Sequence, residues 1–416
     1  MRFTAGLAVA IAGGILLVGA SPSMASGDVV DVGGTPLKVV IDAEGTAYVG
    51  NYLPGGGVSV LPPGAGKPSK TLTAGVSPAG MALSADGTLF VEGWDFDQQQ
   101  EKLVVFPKGS TEVARTVPLG PGAHLIAAAP DGTVFVPNPT LGTVSVIPPG
   151  ADAPAREVAV GGNPKEVAVA QDGTAYVTNQ NDGTVSVIAP GAGTVSRTID
   201  VRKTPGSSGD PHGIAVGPDG AVYVANITSD DVAVIKPGDS AVSYRVPVPG
   251  GPKEIAVGPD STAYVLYQTN GLSVIAPGET NVRSGQPTLP APGHLAIAPD
   301  GSVLVTNTAD GSVSVFPAQD LSVPPLSAVT TAASPTVSAE ASRTAQAITD
   351  NADKGLLSGL PFIVGSVAVA ILAGAAALIL AARRRKRSQA AEDAATPQPP
   401  AAEHESLEVL SNHRRS

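Results

Sequence analysis

Three of the five histidines in this 416-residue chain, His124, His212 and His294, fall within one residue of the same position of a repeating phrase. The matching slot elsewhere holds Lys38, Gly80, Glu166 and Glu254, and Lys165 and Lys253 stand directly before the two glutamates. Imidazoles and carboxylates converging on one point suit a divalent cation, or a general acid and base. If the repeats close into a ring, His124 and Glu166 share one arc and Glu254 and His294 another, facing each other across a central channel. His124, Glu166, Glu254 and His294 are therefore the candidate metal ligands, and His212 joins them as a ligand-binding candidate. The plainer alternative is that polar side chains at a channel mouth solvate a water-filled hole. No cofactor other than such a metal is indicated.

A second group of candidates surrounds the only tryptophan, in Glu92–Lys102, one of the two longest departures from the repeat; the other is Arg202–Asp210. An exposed Trp94 and Phe96, flanked by Asp95 and Asp97, would stack on a sugar or anchor a peptide. Alternatively Trp94 folds back on its own loop. Enzyme signatures are missing: there is no Gly-x-Ser-x-Gly elbow, no phosphate-cradling glycine loop before a helix and no HExxH. Cysteine is absent, which excludes thiolate catalysis, cysteine-bound metals and disulfides.

The elements that must position these side chains are legible in the repeat. Its clearest copy runs Pro164-Lys-Glu-Val-Ala-Val-Ala-Gln-Asp-Gly-Thr-Ala-Tyr-Val-Thr-Asn179, then Asp182-Gly-Thr-Val-Ser-Val-Ile188. The turn acid recurs at Glu44, Asp86, Asp131, Asp172, Asp219, Asp260 and Asp300, in steps of 42, 45, 41, 47, 41 and 40 residues. A period in the low forties built from short alternating strands predicts a seven-bladed all-β propeller over residues 28–317, four strands to a blade. Asp-Gly at the first turn supplies the positive φ of a tight hairpin, so the aspartate is read as structural. In blade four the predicted strands are 166–170, 174–178, 184–188 and 197–201. Blade seven enters a Ser/Thr/Ala/Pro-rich stretch without an outer strand, while Asp28–Gly34 resembles Glu157–Gly162 of the blade-three outer strand. The mature N-terminus is therefore expected to pair into blade seven and remove a free edge.

Tyr176-Val-Thr-Asn179 followed by Thr184-Val-Ser-Val-Ile188 resembles the YVTN-type β-propeller repeat family over about 290 residues. The resemblance implies a secreted or surface-displayed propeller and brings no obligatory catalytic residues. The asparagine is kept at Asn51, Asn138, Asn179, Asn226 and Asn307, whereas blade two has Gly93 and blade six Tyr267. Asp210-Pro-His-Gly-Ile214 is also similar in style to six-bladed lactonases and to virginiamycin B lyase-like propellers. That likeness implies metal binding or proton abstraction by His212, His294 and Glu254.

Both chain ends read as targeting signals. Arg2, an apolar run and Ser23-Met-Ala25 predict a secretory signal peptide over 1–25. Residues 318–354 read as a stalk, and 360–382 carry no charge and are long enough to span a membrane. Arg383-Arg-Arg-Lys-Arg387 then predicts a cytoplasmic tail over 383–416 that does not fold alone. The whole chain carries −11, and residues 26–354 hold 31 acidic against 17 basic groups, or −14. That excess disfavours nucleic acid and anionic lipid and favours cationic partners or metal ions, or serves solubility alone. The expected protein is a single-pass cell-surface propeller that binds an extracellular protein, glycan or small ligand. A metal-assisted lyase or lactonase and a structural surface-layer protein are the alternatives; oligomeric state is left open.

Overall fold

The computed structural model describes residues 28–321, Gly55 and Ser208 excepted. They form seven four-stranded antiparallel sheets, the blades of a propeller. In blade four the strands are Pro164–Val169, Ala175–Asn179, Thr184–Ile188 and Arg197–Asp200, so the inner strand begins two residues earlier than expected. Valine and isoleucine alternate toward the neighbouring blade: Val185, Ile199 and Ile214 meet Val224 in one apolar cluster between blades four and five. Both faces of each sheet are covered in this way, which suits β-branched residues.

The turn acids do the structural work expected of them. Gly173 has φ +84°, and the Thr174 N–H donates to Asp172 Oδ1 at 2.9 Å. Blade one departs: there Asp42 Oδ1 accepts from Thr46 N at 2.8 Å, and Glu44 instead meets Lys108 Nζ at 2.6 Å. The two-residue shift, from Glu44 to Asp42, frees the expected turn acid for a link to blade two.

The asparagine of the repeat is also structural. Asn179 Nδ2 donates to Ser186 Oγ at 2.9 Å, and Asn307 Nδ2 to Ser314 Oγ at 3.0 Å, tying the second strand to the serine of Thr-Val-Ser-Val. In blade six the Tyr267 hydroxyl takes over, bonding Ser273 Oγ. In blade two Gly93 is required because a Cβ there would overlap Ser77 O. Packing accounts for both departures.

The ring closes as expected. Asp28–Asp31 pairs antiparallel with Ser312–Phe316, Asp28 opposite Val315 and Asp31 opposite Ser312. Val30 and Val32 are buried with Val39, Val49 and Val313. The packed chain runs past residue 317: Ala318–Leu321 makes a single helical turn, and Leu321 is buried against Tyr264, Leu295 and Phe316. The signal peptide, most of the stalk, the 360–382 segment and the tail lie outside the described residues. Among the described residues no helix is long and apolar enough to cross a membrane.

Candidate functional site in the channel mouth

The inner strands carry the site. Six of the seven begin with a register shift, as between Pro164 and Val167 in blade four and between Pro292 and Leu295 in blade seven. A bulge re-aims the residue that follows it. The threonine of the repeat pins this geometry: Thr178 Oγ1 accepts the Glu166 N–H at 3.1 Å and donates to His212 O of the next blade at 2.9 Å. Thr306 does the same for His294, accepting its N–H at 2.9 Å and donating to Leu37 O at 3.2 Å. Glu166 and His294 are thereby fixed on blades four and seven, and Glu254 joins them from blade six, where Leu266 stands in place of the threonine. One donor atom from each lies within 4.8 Å of the others. The channel is narrow enough to join groups that the sequence places on opposite arcs.

Lys38 completes the cluster from blade one. Its Nζ is 2.8 Å from Glu166 Oε1, and both side chains are under 10% exposed (7% and 9%). The sequence put Lys38 in the slot without assigning it this partner. The second Glu166 oxygen accepts from Ile214 N at 3.3 Å.

His212 stands one residue outside the slot. Gly213 occupies the slot in blade five, because a Cβ there would come within 2.6 Å of Lys253 O. The His212 side chain sits above, with Nδ1 3.4 Å from Glu254 Oε1, near but not hydrogen-bonded. His124, Leu125, His212, Lys253, Glu254 and His294 line a cavity of about 410 Å³ at this end of the channel.

Burial sets the charges. It pushes His124 and His212 down to about 4, with Lys165 and Lys38 adding to the effect at His124 while Glu166 opposes it at His212. Burial, then Lys38 and Lys253, hold His294 well below the usual imidazole range. Burial and the Glu166 charge push Glu254 up to about 8. At neutral pH the three imidazoles are uncharged and Glu254 is protonated.

One slot is filled from elsewhere. Gly80 leaves room for Glu92 of the adjacent strand, and a Cβ on Gly80 would lie 2.7 Å from Glu92 Oε2. Glu92 is fully buried, its carboxyl beside Gly80 and Glu101. Burial and the nearby Glu101 hold it well above the usual carboxyl range. The signal was the glutamate in blade two where blade four has Thr178.

The tryptophan loop does not join the channel cavity. It lengthens two strands of blade two to Leu89–Asp95 and Gln100–Phe106, seven residues each. Phe96 is exposed as expected, whereas Trp94 is half-buried and Asp95 is buried. Asp95 pairs with Lys102 and accepts the N–H groups of Asp97 and Gln98 at 2.8 and 3.0 Å. Its carboxylate caps the turn instead of facing solvent, while Asp97 remains exposed. The Arg202–Asp210 segment is anchored by Arg245, whose Nη2 donates to Val201 O and Arg202 O at 3.0 and 2.8 Å.

These charges predict a stability optimum near pH 6.5 for the metal-free protein. A depressed imidazole pKa contributes stability above its unfolded value of 6.5 that is lost as pH falls toward about 4; each histidine is worth up to about 3 kcal/mol. The raised Glu254 and Glu92 act oppositely, their contribution being lost as pH rises from 4.5, to about 8 for Glu254. Below pH 6.5 the three imidazoles outweigh the two carboxyls; above it the carboxyls act alone. Thermal unfolding across pH 4–9 should show the maximum, and Glu254→Gln should shrink the alkaline decline. A flat profile would contradict the buried, uncharged cluster.

No family model matches the chain, so the YVTN resemblance rests on the repeat residues themselves, and no curated protein matches it in sequence. Solved structures do share its fold. Hydrazine synthase of Kuenenia stuttgartiensis is 17% identical with a TM-score of 0.59, over 73% of this chain and 99% of that one. A streptogramin B lyase is 16% identical with a TM-score of 0.58, over 71% and 99%. Virginiamycin B lyase from Staphylococcus aureus is 14% identical with a TM-score of 0.55, over 69% and 98%. At these identities the likeness is one of fold, and the chain is a seven-bladed propeller built like those lyases.

Proposed function

We propose that the protein is a cell-surface binding propeller whose channel mouth holds a divalent cation on Glu166, Glu254 and His294 and presents it to a small ligand. The observation that carries this reading is the convergence of three donor atoms from three blades within 4.8 Å. Two carboxylates and one imidazole suit a hard or borderline cation such as Mg²⁺ or Mn²⁺, and three protein ligands leave positions open toward the cavity. His294 Nδ1, buried without a hydrogen-bond partner among the described residues, is a free donor atom for such an ion. Location outside the cell on a single-pass anchor is supported by the uncharged 360–382 segment and the basic run that follows. Phe96, 46% exposed at the tip of the blade-two hairpin, supports a further contact with an extracellular protein or glycan.

Titrating Mn²⁺ into metal-stripped full-length protein tests the reading. One ion per chain is expected, with affinity reduced at least about 100-fold in Glu254→Gln and in His294→Ala, the loss of one of three protein ligands. The ion must displace the Glu254 proton, so affinity should rise about tenfold per pH unit up to the group's value of about 8 and then level off. Absence of binding, or equal binding by both variants, would overturn the assignment.

A lyase or lactonase is the second reading, favoured by the uncharged His212 with Nδ1 3.4 Å from Glu254 Oε1. There His212 takes a proton from the substrate while the other three residues hold the cation. Quinupristin, present in a solved catalytically inactive histidine-to-alanine variant of the Staphylococcus aureus lyase, is the first substrate to try. His212→Ala should then abolish turnover and leave Mn²⁺ affinity intact.

A further inference from the structure

We infer that the ligand taken by the channel mouth is a small anion, a molecule bearing a carboxylate or phosphate group, bound by Lys165, His212 and Lys253. This deepens the reading of the channel mouth as a ligand site and does not depend on the cation. In blades four, five and six the inner strands start Pro164-Lys165-Glu166, Pro211-His212-Gly213 and Pro252-Lys253-Glu254. The same repeat position therefore carries Lys, His and Lys on three consecutive blades, and equivalent positions in a propeller stand at one height around the axis.

The two lysines are half-buried, and neither makes an ion pair or hydrogen bond among the described residues. Of the slot carboxylates, Glu166 is already engaged by Lys38 at 2.8 Å and Ile214 N at 3.3 Å. His212 and Lys253 line the cavity itself, Lys165 holds the equivalent repeat position on the blade before His212, and both lysines act electrostatically on His124 and His212. His212 adds an N–H donor in any protonation state, and its buried Nδ1 has no hydrogen-bond partner among the described residues.

In a segment, residues 26–354, of net charge −14, two ammonium groups without an ion-pair partner among the described residues, at one repeat position on blades four and six, form a local exception. A concave site lined by one sign of charge focuses the field on a counter-ion. The cavity of about 410 Å³ falls at the lower end of the ~300–1,000 Å³ that accommodates small ligands, which selects a small molecule over a polymer chain.

The test is a calorimetric titration of inorganic phosphate and of succinate into full-length protein in neutral detergent, with metal stripped and no chelator present. Saturable binding of at least one of the two is expected, weakening as salt rises. Affinity should fall about five- to tenfold in Lys165→Gln and in Lys253→Gln, and beyond detection in the double variant, a loss in line with charge-assisted hydrogen bonds. Uncharged trimethyl phosphate should not bind. Neither lysine has an ion-pair or hydrogen-bond partner among the described residues, so the variants should melt near the parent temperature. Binding of phosphate lost with the lysines supports the inference even where no cation binds. Failure of both anions to bind, equal affinity in the double variant, or equal binding of trimethyl phosphate would overturn it, whatever the Mn²⁺ titration shows.

Discussion

Glu166→Ala is expected to lower folding stability by about 3–5 kcal/mol, because it strands a buried ammonium without its counter-charge. Lys38 is 7% exposed, and among the described residues Glu166 is its only carboxylate partner within ion-pair distance, at 2.8 Å. The variant also removes the acceptor of the Ile214 N–H, at 3.3 Å. For a domain of this size the loss corresponds to a melting point lower by roughly 6–15 °C. Removing both charges should be far milder: Lys38→Met with Glu166→Gln should recover most of the stability, since replacing a buried ion pair by neutral side chains of similar size is often close to neutral. Denaturant unfolding of the two single variants and the double variant measures the coupling directly. Additive losses, or a Glu166→Ala cost under about 1 kcal/mol, the range of an exposed pair, would mean that water reaches the pair and that the channel is not the dry cluster described.

Deleting residues 28–33 should be at least as costly. The strand Asp28–Asp31 contributes four paired residues to blade seven, and Val30 and Val32 are 4% and 8% exposed. Burying two valines is worth about 3–6 kcal/mol, which predicts a melting point lower by about 6–20 °C. The deletion also bares Ser312–Phe316 as an edge strand, and edges recruit other chains. Self-association in light scattering should therefore accompany the lower melting point. An unchanged melting curve and a monodisperse sample would show that the ring holds without this closure.

The architecture was legible because each blade repeats the same solution. Gly173, Asp172 and the alternating valines dictate strand and turn locally, and the missing outer strand of blade seven pointed to its substitute at Asp28. The site was legible in its residue types but not in its spacing. A one-residue offset in a bulged strand decides whether a side chain enters the channel, and His212 and Glu166 differ by that offset. Nothing in the repeat shows that Gly213 must be glycine until Lys253 O is seen against it. The Lys38–Glu166 pair joins residues 128 positions apart, a distance that only ring closure removes. Asp95 was expected at the surface because it lies in a departure from the repeat that reads as an exposed loop; Lys102 across the hairpin draws it inward. Glu92 was missed because it belongs to the second strand and fills the slot of Gly80 from the side.

Anomalous diffraction from a crystal of the protein grown with Mn²⁺ tests the channel cation site most directly. The expected result is a single strong peak on the channel side of the inner strands, about 2.0–2.3 Å from one oxygen each of Glu166 and Glu254 and from a ring nitrogen of His294, the usual range for carboxylate and imidazole ligands. A channel without a peak while Mn²⁺ occupies surface carboxylates elsewhere would contradict the assignment, and Lys38 would then be the only cation those carboxylates hold.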